Sequence, residues 1–278
     1  MEKLIALLTD FGTSDIYVGV MKGVMKTICP DATFIDISHE VQRQSIHDGA
    51  LMLRNAYAYF PEGTVFLVVI DPTVGSIRRP VLVKTDKYQF IAPDNGILTP
   101  TLNAIGDWEA VELSNPEYQL SDNSFTFHGR DIFSPAAAYA ARSDVSLEAF
   151  GARINDLVTL PIPTLAISDD MIKGEITHID HFGNIITSIG TLRWQDAQTL
   201  KLETSDQSKL IDASKTHLKI DGMHLTTIKH AYHEVNVGEM LLQVDSNGYL
   251  EIAVNHGSAS SRLEVAIHDT ITLDLHTL

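Results

Sequence analysis

VVIDPTVGSIRRPVLV, residues 68–83, sets one acidic residue and two arginines around a short turn between two apolar runs. Each run has the length and β-branched composition of a buried strand, and the Pro-Thr-Val-Gly-Ser segment between them is made of turn formers. Asp71 therefore stands at the lip of a strand, with Arg78 and Arg79 across the turn. Neighbouring residues of a strand face opposite ways, so if the second run continues directly from the arginines, only one of them reaches Asp71.

Working outward, LIALL (4–8) and ATFIDIS (32–38) read as strands. Between them, Tyr17 to Cys29 has helical spacing, with Val20, Met21, Val24 and Ile28 on one side. Ser45, with Asp48 three residues on, reads as the N-cap of a helix reaching about Tyr59. TVFLVVI, PVLVKT and YQFIAP follow as strands, and Ser134-Pro135 opens a helix over AAAYAARS. This alternation predicts a mostly parallel α/β sandwich domain over residues 1–160.

Pro161 and Pro163 mark residues 161–170 as a linker. From 171 to 278 the pattern changes to short alternating runs: MIKGEITHI, NIITSI, THLKI, EMLLQV, YLEIAV, RLEVAI and TITLDL. Turn pairs such as Asp221-Gly222, Asn247-Gly248 and His256-Gly257 separate several of them. A small all-β domain, barrel-like or a sandwich, is expected.

With 278 residues the chain has room for one large or two ordinary domains. No run of 18 apolar residues exists, so no membrane span is expected, and MEKLIALLTDFGTSD reads as a strand rather than a signal peptide. The net charge of −16, without a basic patch, argues against nucleic acid as a partner. A single cysteine, Cys29, allows no internal disulfide and reads as a buried small hydrophobe. A cytoplasmic location is the default expectation.

Asp10, Asp71 and Asp94 are each the first charge after an apolar run. Aspartate favours turns wherever it occurs. Three at the carboxyl edge of one open sheet make a binding crevice the better reading. SFTFHGRDIFSPAAA adds His128 and an Arg130-Asp131 pair before a helix. In ITHIDHFGNIITSI, His178 and Asp180 share one strand face and His181 the other, which disfavours a metal site. Phe182 and Asn184 in that turn suit a planar ring, one by stacking and one by amide hydrogen bonds. A plain β-turn with a buried Phe is the competing reading. No Walker loop, GxGxxG or GxSxG elbow is present.

Taken together, LTDFGTSDIYVG, DISHEV, VVIDPTVGSIRR, APDNGILT, TFHGRDIFSPAAA, IDHFGN and SNGYLEIAVNHGSA resemble the SAM hydroxide adenosyltransferase family of S-adenosyl-L-methionine hydrolases, relatives of the bacterial fluorinase and chlorinase. The resemblance spans the whole chain. It implies a homotrimer, with S-adenosylmethionine as substrate rather than cofactor, lying between one subunit's N-terminal domain and its neighbour's C-terminal domain. It carries the catalytic group over as Asp71, Arg78 and His128. By the same resemblance Asp10 holds the ribose hydroxyls and Asp15 the methionine ammonium. Asp180, Phe182 and Asn184 hold the amine and adenine regions, and Tyr232 stacks on adenine. Ser246 and Asn247 approach the carboxylate, and Asn255 and Ala259 flank adenine. No metal or separate cofactor is implied.

The halogenating relatives lack this acid and this histidine, and carry an extra loop where the interval here, Gly96 to Phe127, is short. Both features favour hydrolysis. Thr73, Arg43 and Gln44 depart from the family's usual residues. A sulfonium leaves readily, so displacement at the ribose 5′ carbon needs an activated nucleophile rather than an acid. An arginine can stabilise hydroxide character, a carboxylate can fix that arginine, and a histidine can take the proton. Two other readings use many of the same residues: a non-catalytic binder of S-adenosylmethionine or adenosine, and an S-adenosylmethionine-dependent halogenase. A metal-dependent nucleotide phosphatase is a further class, for which the sequence offers no convincing ligand set.

Overall fold

A computed structural model describes residues 2–275, in two compact units, Met1–Pro161 and Ile162–Leu278. In the first unit the elements run β1 (Leu4–Thr9), α1 (Tyr17–Ile28), β2 (Thr33–Ser38), α2 (Ile46–Ala56), β3 (Val65–Val69), β4 (Pro80–Lys84), β5 (Gln89–Pro93), α3 (Thr99–Ile105), β6 (Glu109–Glu112), α4 (Ser134–Arg142) and β7 (Arg153–Ile154). They form one sheet in the order β2-β1-β3-β5-β4-β6-β7.

The half β2-β1-β3-β5 is parallel, and β4, β6 and β7 complete it antiparallel. Antiparallel pairing enters where β4 and β5 are joined by a tight turn, a connection too short for a parallel crossover. Because parallel strands are covered on both faces, β1 and β3 are buried at every position, and only Thr9 at the end of β1 is polar. Ile5, Leu7, Val65, Leu67 and Val69 face one apolar layer with Met21 and Met25 of α1 and the alanines of α4. Ala6, Leu8, Phe66 and Val68 face a second layer with Ala50 and Leu53 of α2 and Leu102 of α3.

The expected capping of α2 is present: the Ser45 side chain accepts from the Asp48 N–H at 3.3 Å. Tyr57–Tyr59 tighten into a 3-10 turn, so the α-helix proper ends at Ala56. Cys29 is buried just past the end of α1. Among the described residues no helix is long and apolar enough to cross a membrane.

The second unit holds β8 (Leu165–Ile167), β9 (Met171–Ile179), β10 (Ile185–Thr187), β11 (Leu192–Trp194), β12 (Thr199–Glu203), β13 (Ser208–Asp212), β14 (His217–Ile220), β15 (Met223–Thr226), β16 (Ile228–Lys229), β17 (Met240–Val244), β18 (Leu250–Val254) and β19 (Thr270–Asp274). One barrel-like sheet runs β15-β14-β19-β9-β10-β18-β17-β16, and β11-β12-β13 form a separate three-stranded sheet. Inward residues such as Ile172, Ile185, Leu218, Leu242, Ile252 and Leu273 build its core.

Two local expectations change. Part of the stretch 161–170 is ordered as β8, which pairs with β9. RLEVAI (262–267) is not a strand: Arg262 and Leu263 N–H donate to the Ala259 carbonyl and Val265 N–H to Leu263. Its apolar side chains still pack on the core, so alternation reflects burial without a ladder. Replacing the helix cap, Ser45→Ala, should cost about 1 kcal/mol. A thermal melt should then show the first unit's transition lowered by roughly 2–4 °C.

Candidate active site

β1, β3 and β5 are parallel neighbours, so their carboxyl ends open on one edge. Asp10 follows β1 directly and Asp71 comes two residues after β3. The loop from Ile70 to Arg79 returns to β4, with β5 between β3 and β4 in the sheet, and so stays along that edge. Asn95 anchors it by donating from Nδ2 to the Ile70 carbonyl at 2.9 Å. Gly75, at φ +79°, lies so near the Phe125 carbonyl that a Cβ would stand 2.3 Å from its oxygen. No side chain fits there, and the close approach brings the loop against the segment that leads to His128.

The adjacent arginines, just ahead of β4, turn to different partners. Arg78 Nε donates to Asp71 Oδ1 at 3.1 Å and Oδ2 at 2.9 Å, and its Nη2 donates to Oδ2 at 2.5 Å. Both side chains are buried, 7% and 4% exposed. Arg78 Nη2 also lies 2.7 Å from His128 Nδ1, and the guanidinium sits 5.3 Å from the Phe133 ring centre. Arg79 turns away to Asp94, at 2.9 and 2.6 Å, and to Asp156. Asp94 is thus engaged by Arg79 and by the Val158 N–H, and does not join Asp71. A cavity of about 250 Å³ on that side is lined by Asp94, Trp108 and Asp156, and by none of Asp71, Arg78 or His128.

Arginine only donates, so His128 Nδ1 must be the acceptor. The imidazole is then the neutral tautomer with its proton on Nε2. Burial lowers its pKa, the Arg78 cation lowers it further, and Asp71 and Asp131 pull the other way. His128 precedes a π-turn, Gly129–Phe133, that runs into α4, an irregularity frequent at functional sites. Asp131 inside that turn is fully buried. Burial opposes its ionisation, but hydrogen bonds from Arg130 and Ser124 hold its carboxyl below the usual range. The Arg130-Asp131 pair is therefore a brace beneath His128.

Asp10 Oδ2 accepts the Gln44 N–H at 2.8 Å. Its loop is tied to β2 by Gly12 N–H donating to the His39 carbonyl and by a 2.8 Å bond between Thr9 Oγ1 and His39 Nδ1. Asp15 is exposed, and Thr73 lies exposed in the turn, its carbonyl accepting from Ser76.

In the second unit, the Asp180 carboxylate organises a turn. Its Oδ1 accepts the N–H of Phe182 and Asn184, and its Oδ2 accepts Asn184 Nδ2 at 3.0 Å. Gly183, at φ +81°, is pressed on Ser258, whose Oγ would stand 2.1 Å from a Cβ. Phe182 is 74% exposed, which overturns the buried-Phe reading of this turn. Phe182, Asn184, Tyr232, Asn255 and His256 line one cavity of about 440 Å³. Ser246 and Asn247 line a different one, with Arg193, Trp194 and His230, of about 590 Å³. Ala259 reaches neither: it is fully buried in the core, and its carbonyl accepts from Arg262 and Leu263.

Sequence reasoning missed Glu251 and Gln243, cross-strand partners on β18 and β17. A polar residue inside each of two apolar runs, YLEIAV and EMLLQV, was the available signal. Glu251 is 4% exposed. Burial pushes its carboxyl above the ordinary range, against hydrogen bonds from Gln243 and Tyr232.

These features define a two-domain α/β and β-barrel protein with a carboxylate–guanidinium–imidazole site on the first domain's sheet edge. Family models for the SAM hydroxide adenosyltransferase N-terminal and C-terminal domains match residues 5–151 and 174–272, and the chain belongs to that family. It is 33% identical to a protein of Salinispora tropica named (R)-S-adenosyl-L-methionine hydrolase, with 96% of each chain covered. It is 30% identical to a fluorinase of Actinopolyspora mzabensis, over 92% of this chain and 91% of that one. The crystal structure of an uncharacterized conserved protein from Thermotoga maritima superposes with a TM-score of 0.83 at 35% identity, covering 97% of this chain and 99% of that one.

The His128 ring should titrate below the range of a free histidine in an NMR pH series. Arg78→Met should move it upward, because one of the two causes of the depression is then gone. A wild-type midpoint at or above the ordinary value near 6.5 would show that Arg78 does not hold the neutral tautomer.

Proposed function

We propose that the protein hydrolyses S-adenosyl-L-methionine to adenosine and L-methionine by attack of hydroxide on the ribose 5′ carbon. The observation that carries this is the buried contact of Arg78 with both Asp71 and His128, in a chain whose relatives include proteins named as hydrolases of this substrate. Their names specify the (R) form at sulfur. The same form is taken as the substrate proposed here, and either epimer yields the same products, since sulfur leaves as a thioether.

The mechanism follows from which atoms are free. His128 Nδ1 is occupied by Arg78, so His128 is poorly placed to take a proton while that bond holds. Its Nε2–H and Arg78 Nη1, which has no partner among the described residues, are donors. Two donors, one of them cationic, suit a bound hydroxide, whose formation from water they favour electrostatically. The balance is one sulfonium and one water in, and adenosine, methionine and one proton out; the proton passes to solvent. The carbon–sulfur bond breaks as the carbon–oxygen bond forms. Asp71 holds Arg78 in line and offsets its charge, which would otherwise repel the sulfonium.

Asp10 suits the ribose hydroxyls and Asp15 the methionine ammonium. The cavity of Phe182, Asn184, Tyr232 and Asn255 suits the adenine ring, with Asp180 fixing its turn. The cavity of Ser246, Asn247 and Arg193 presents donors to a carboxylate. No metal or further cofactor is needed by this chemistry. A homotrimer with its sites at subunit interfaces fits the exposed apolar residues Ile16, Ile77 and Phe125 around the first unit's site. A cytoplasmic location suits a chain with one cysteine.

In water enriched in oxygen-18, label should appear in the 5′ hydroxyl of adenosine and not in methionine. Arg78→Met and Asp71→Ala should each lower kcat by roughly 10²–10³-fold, the scale of losing one oxyanion-type donor. Intact substrate after prolonged incubation would leave a binding protein. Formation of 5′-chloro-5′-deoxyadenosine in chloride would make it a halogenase.

A further inference from the structure

We propose that Glu251 is a positioning residue that fixes which face of the Asn184 amide meets the base, and so makes an exocyclic amino group a condition of binding. This rests on the reading of the Phe182–Tyr232 cavity as the place of the nucleobase. The argument is a count of hydrogens. An amide NH₂ has two. In Asn184 one goes to Asp180 Oδ2 at 3.0 Å and the other to the Tyr232 hydroxyl at 3.2 Å. The amide carbonyl, Oδ1, makes no hydrogen bond among the described residues, and Asn184 lines the cavity. The group offered to a ligand is therefore an acceptor.

That choice holds only while the Tyr232 hydroxyl accepts. A phenol has one hydrogen, and Tyr232 gives it to Glu251 Oε1 at 3.0 Å. The same oxygen accepts Gln243 Nε2 at 2.5 Å, which holds the carboxyl in place across the β17–β18 pair. Glu251 thus forces Tyr232 to accept, Tyr232 forces Asn184 to turn its NH₂ inward, and the carbonyl faces the ligand. The order holds for the carboxylate, and for a neutral Glu251 whose proton sits on Oε2, since Oε1 then still accepts. Without Glu251 the Tyr232 hydrogen is free to turn to Asn184, and the amide loses one of its two reasons to point one way.

A buried carboxylate is costly to keep. Glu251 stands in a strand whose every residue is buried, where an apolar residue would pack without that cost. Its retention is explained by a task at the cavity. A base with an amino group finds an acceptor at Asn184. A base with an oxo group there sets two acceptors face to face.

The test uses the whole protein and two sulfonium substrates, S-adenosylmethionine and its deaminated S-inosyl counterpart. The wild type should favour the amino base by roughly 10–100-fold in kcat/KM, the range for one mispaired buried polar group. Glu251→Leu and Tyr232→Phe should each reduce that preference several-fold, with the change for Glu251→Leu falling on KM rather than kcat. Glu251→Gln retains an acceptor and should restore the preference. An unchanged preference in both the Leu and Phe variants, each shown folded by its thermal melt, overturns the inference; so does a Gln variant as unselective as Leu. If the wild type turns over neither substrate, the proposed activity fails, and the inference is still decided by calorimetric binding of adenosine and inosine. Equal affinities, or no binding of either, would refute it.

Discussion

Arg78 is a cation with 7% of its side chain exposed, and much of the first unit is arranged to make that tolerable. A buried charge is stable only when paired and hydrogen-bonded. Asp71 supplies two oxygens to three N–H contacts, His128 supplies a lone pair, and the Phe133 ring covers one face. Each partner comes from a different place in the chain. Asp71 follows β3, His128 precedes the π-turn, and Phe133 ends that turn. Removing one partner from such a pair generally costs about 3–5 kcal/mol, so the pair ties these segments together as well as preparing them for chemistry.

The same pair explains the loop geometry around it. The Gly75 contact with the Phe125 carbonyl sets two loops at a distance no side chain permits. The Asn95 bond to Ile70 fixes the start of the Asp71 loop. Asp131, braced by Arg130, holds the turn that follows His128. A guanidinium has fixed donor directions, so an error of even 1 Å in these loops would leave a donor unpaired inside the protein. Precision in the site and stability of the site are here one requirement.

Much of this was legible in the sequence because it follows from periodicity and chain order. β1, β3 and β9 are apolar or alternating runs bounded by turn formers, and Ser45 with Asp48 marks a helix start. That only one of Arg78 and Arg79 would reach Asp71 was expected from strand alternation, and their partners do differ, although both residues lie just before β4. What was not legible depends on pairing between distant segments. RLEVAI has the alternation of a strand, but most of its N–H groups are satisfied by nearby turns, Glu264 N–H goes to the distant Asp221 carboxylate, and among the described residues no strand pairs with it. Asp94 looked like a third carboxylate for the crevice, and nothing local reveals that Arg79 claims it. Ser246 and Asn247 lie one strand away in sequence from Asn255, and they open on another cavity because β18 carries the chain from one to the other. Glu251 was hidden for a related reason: its partner Gln243 is eight residues away, and the meaning of either depends on the register between their strands.

The charge arithmetic of the site bears on why water rather than a halide should be the nucleophile. In the proposed reaction a sulfonium substrate brings a positive charge to a place that already holds Arg78. Asp71 cancels the arginine at long range while leaving its N–H groups directional at short range. A nucleophile bound there gains hydrogen bonds more than net attraction. Hydroxide is small, strongly basic and takes several hydrogen bonds; a halide is held mainly by charge and by exclusion of water. A neutralised guanidinium beside a neutral imidazole that donates from Nε2 therefore favours the oxygen nucleophile. The protein's net charge of −16 acts at another range, drawing a cationic substrate toward the surface. Attraction of the sulfonium would thus be spread over the whole molecule, and in the proposed mechanism the few buried groups at Arg78 are left to select and orient the water.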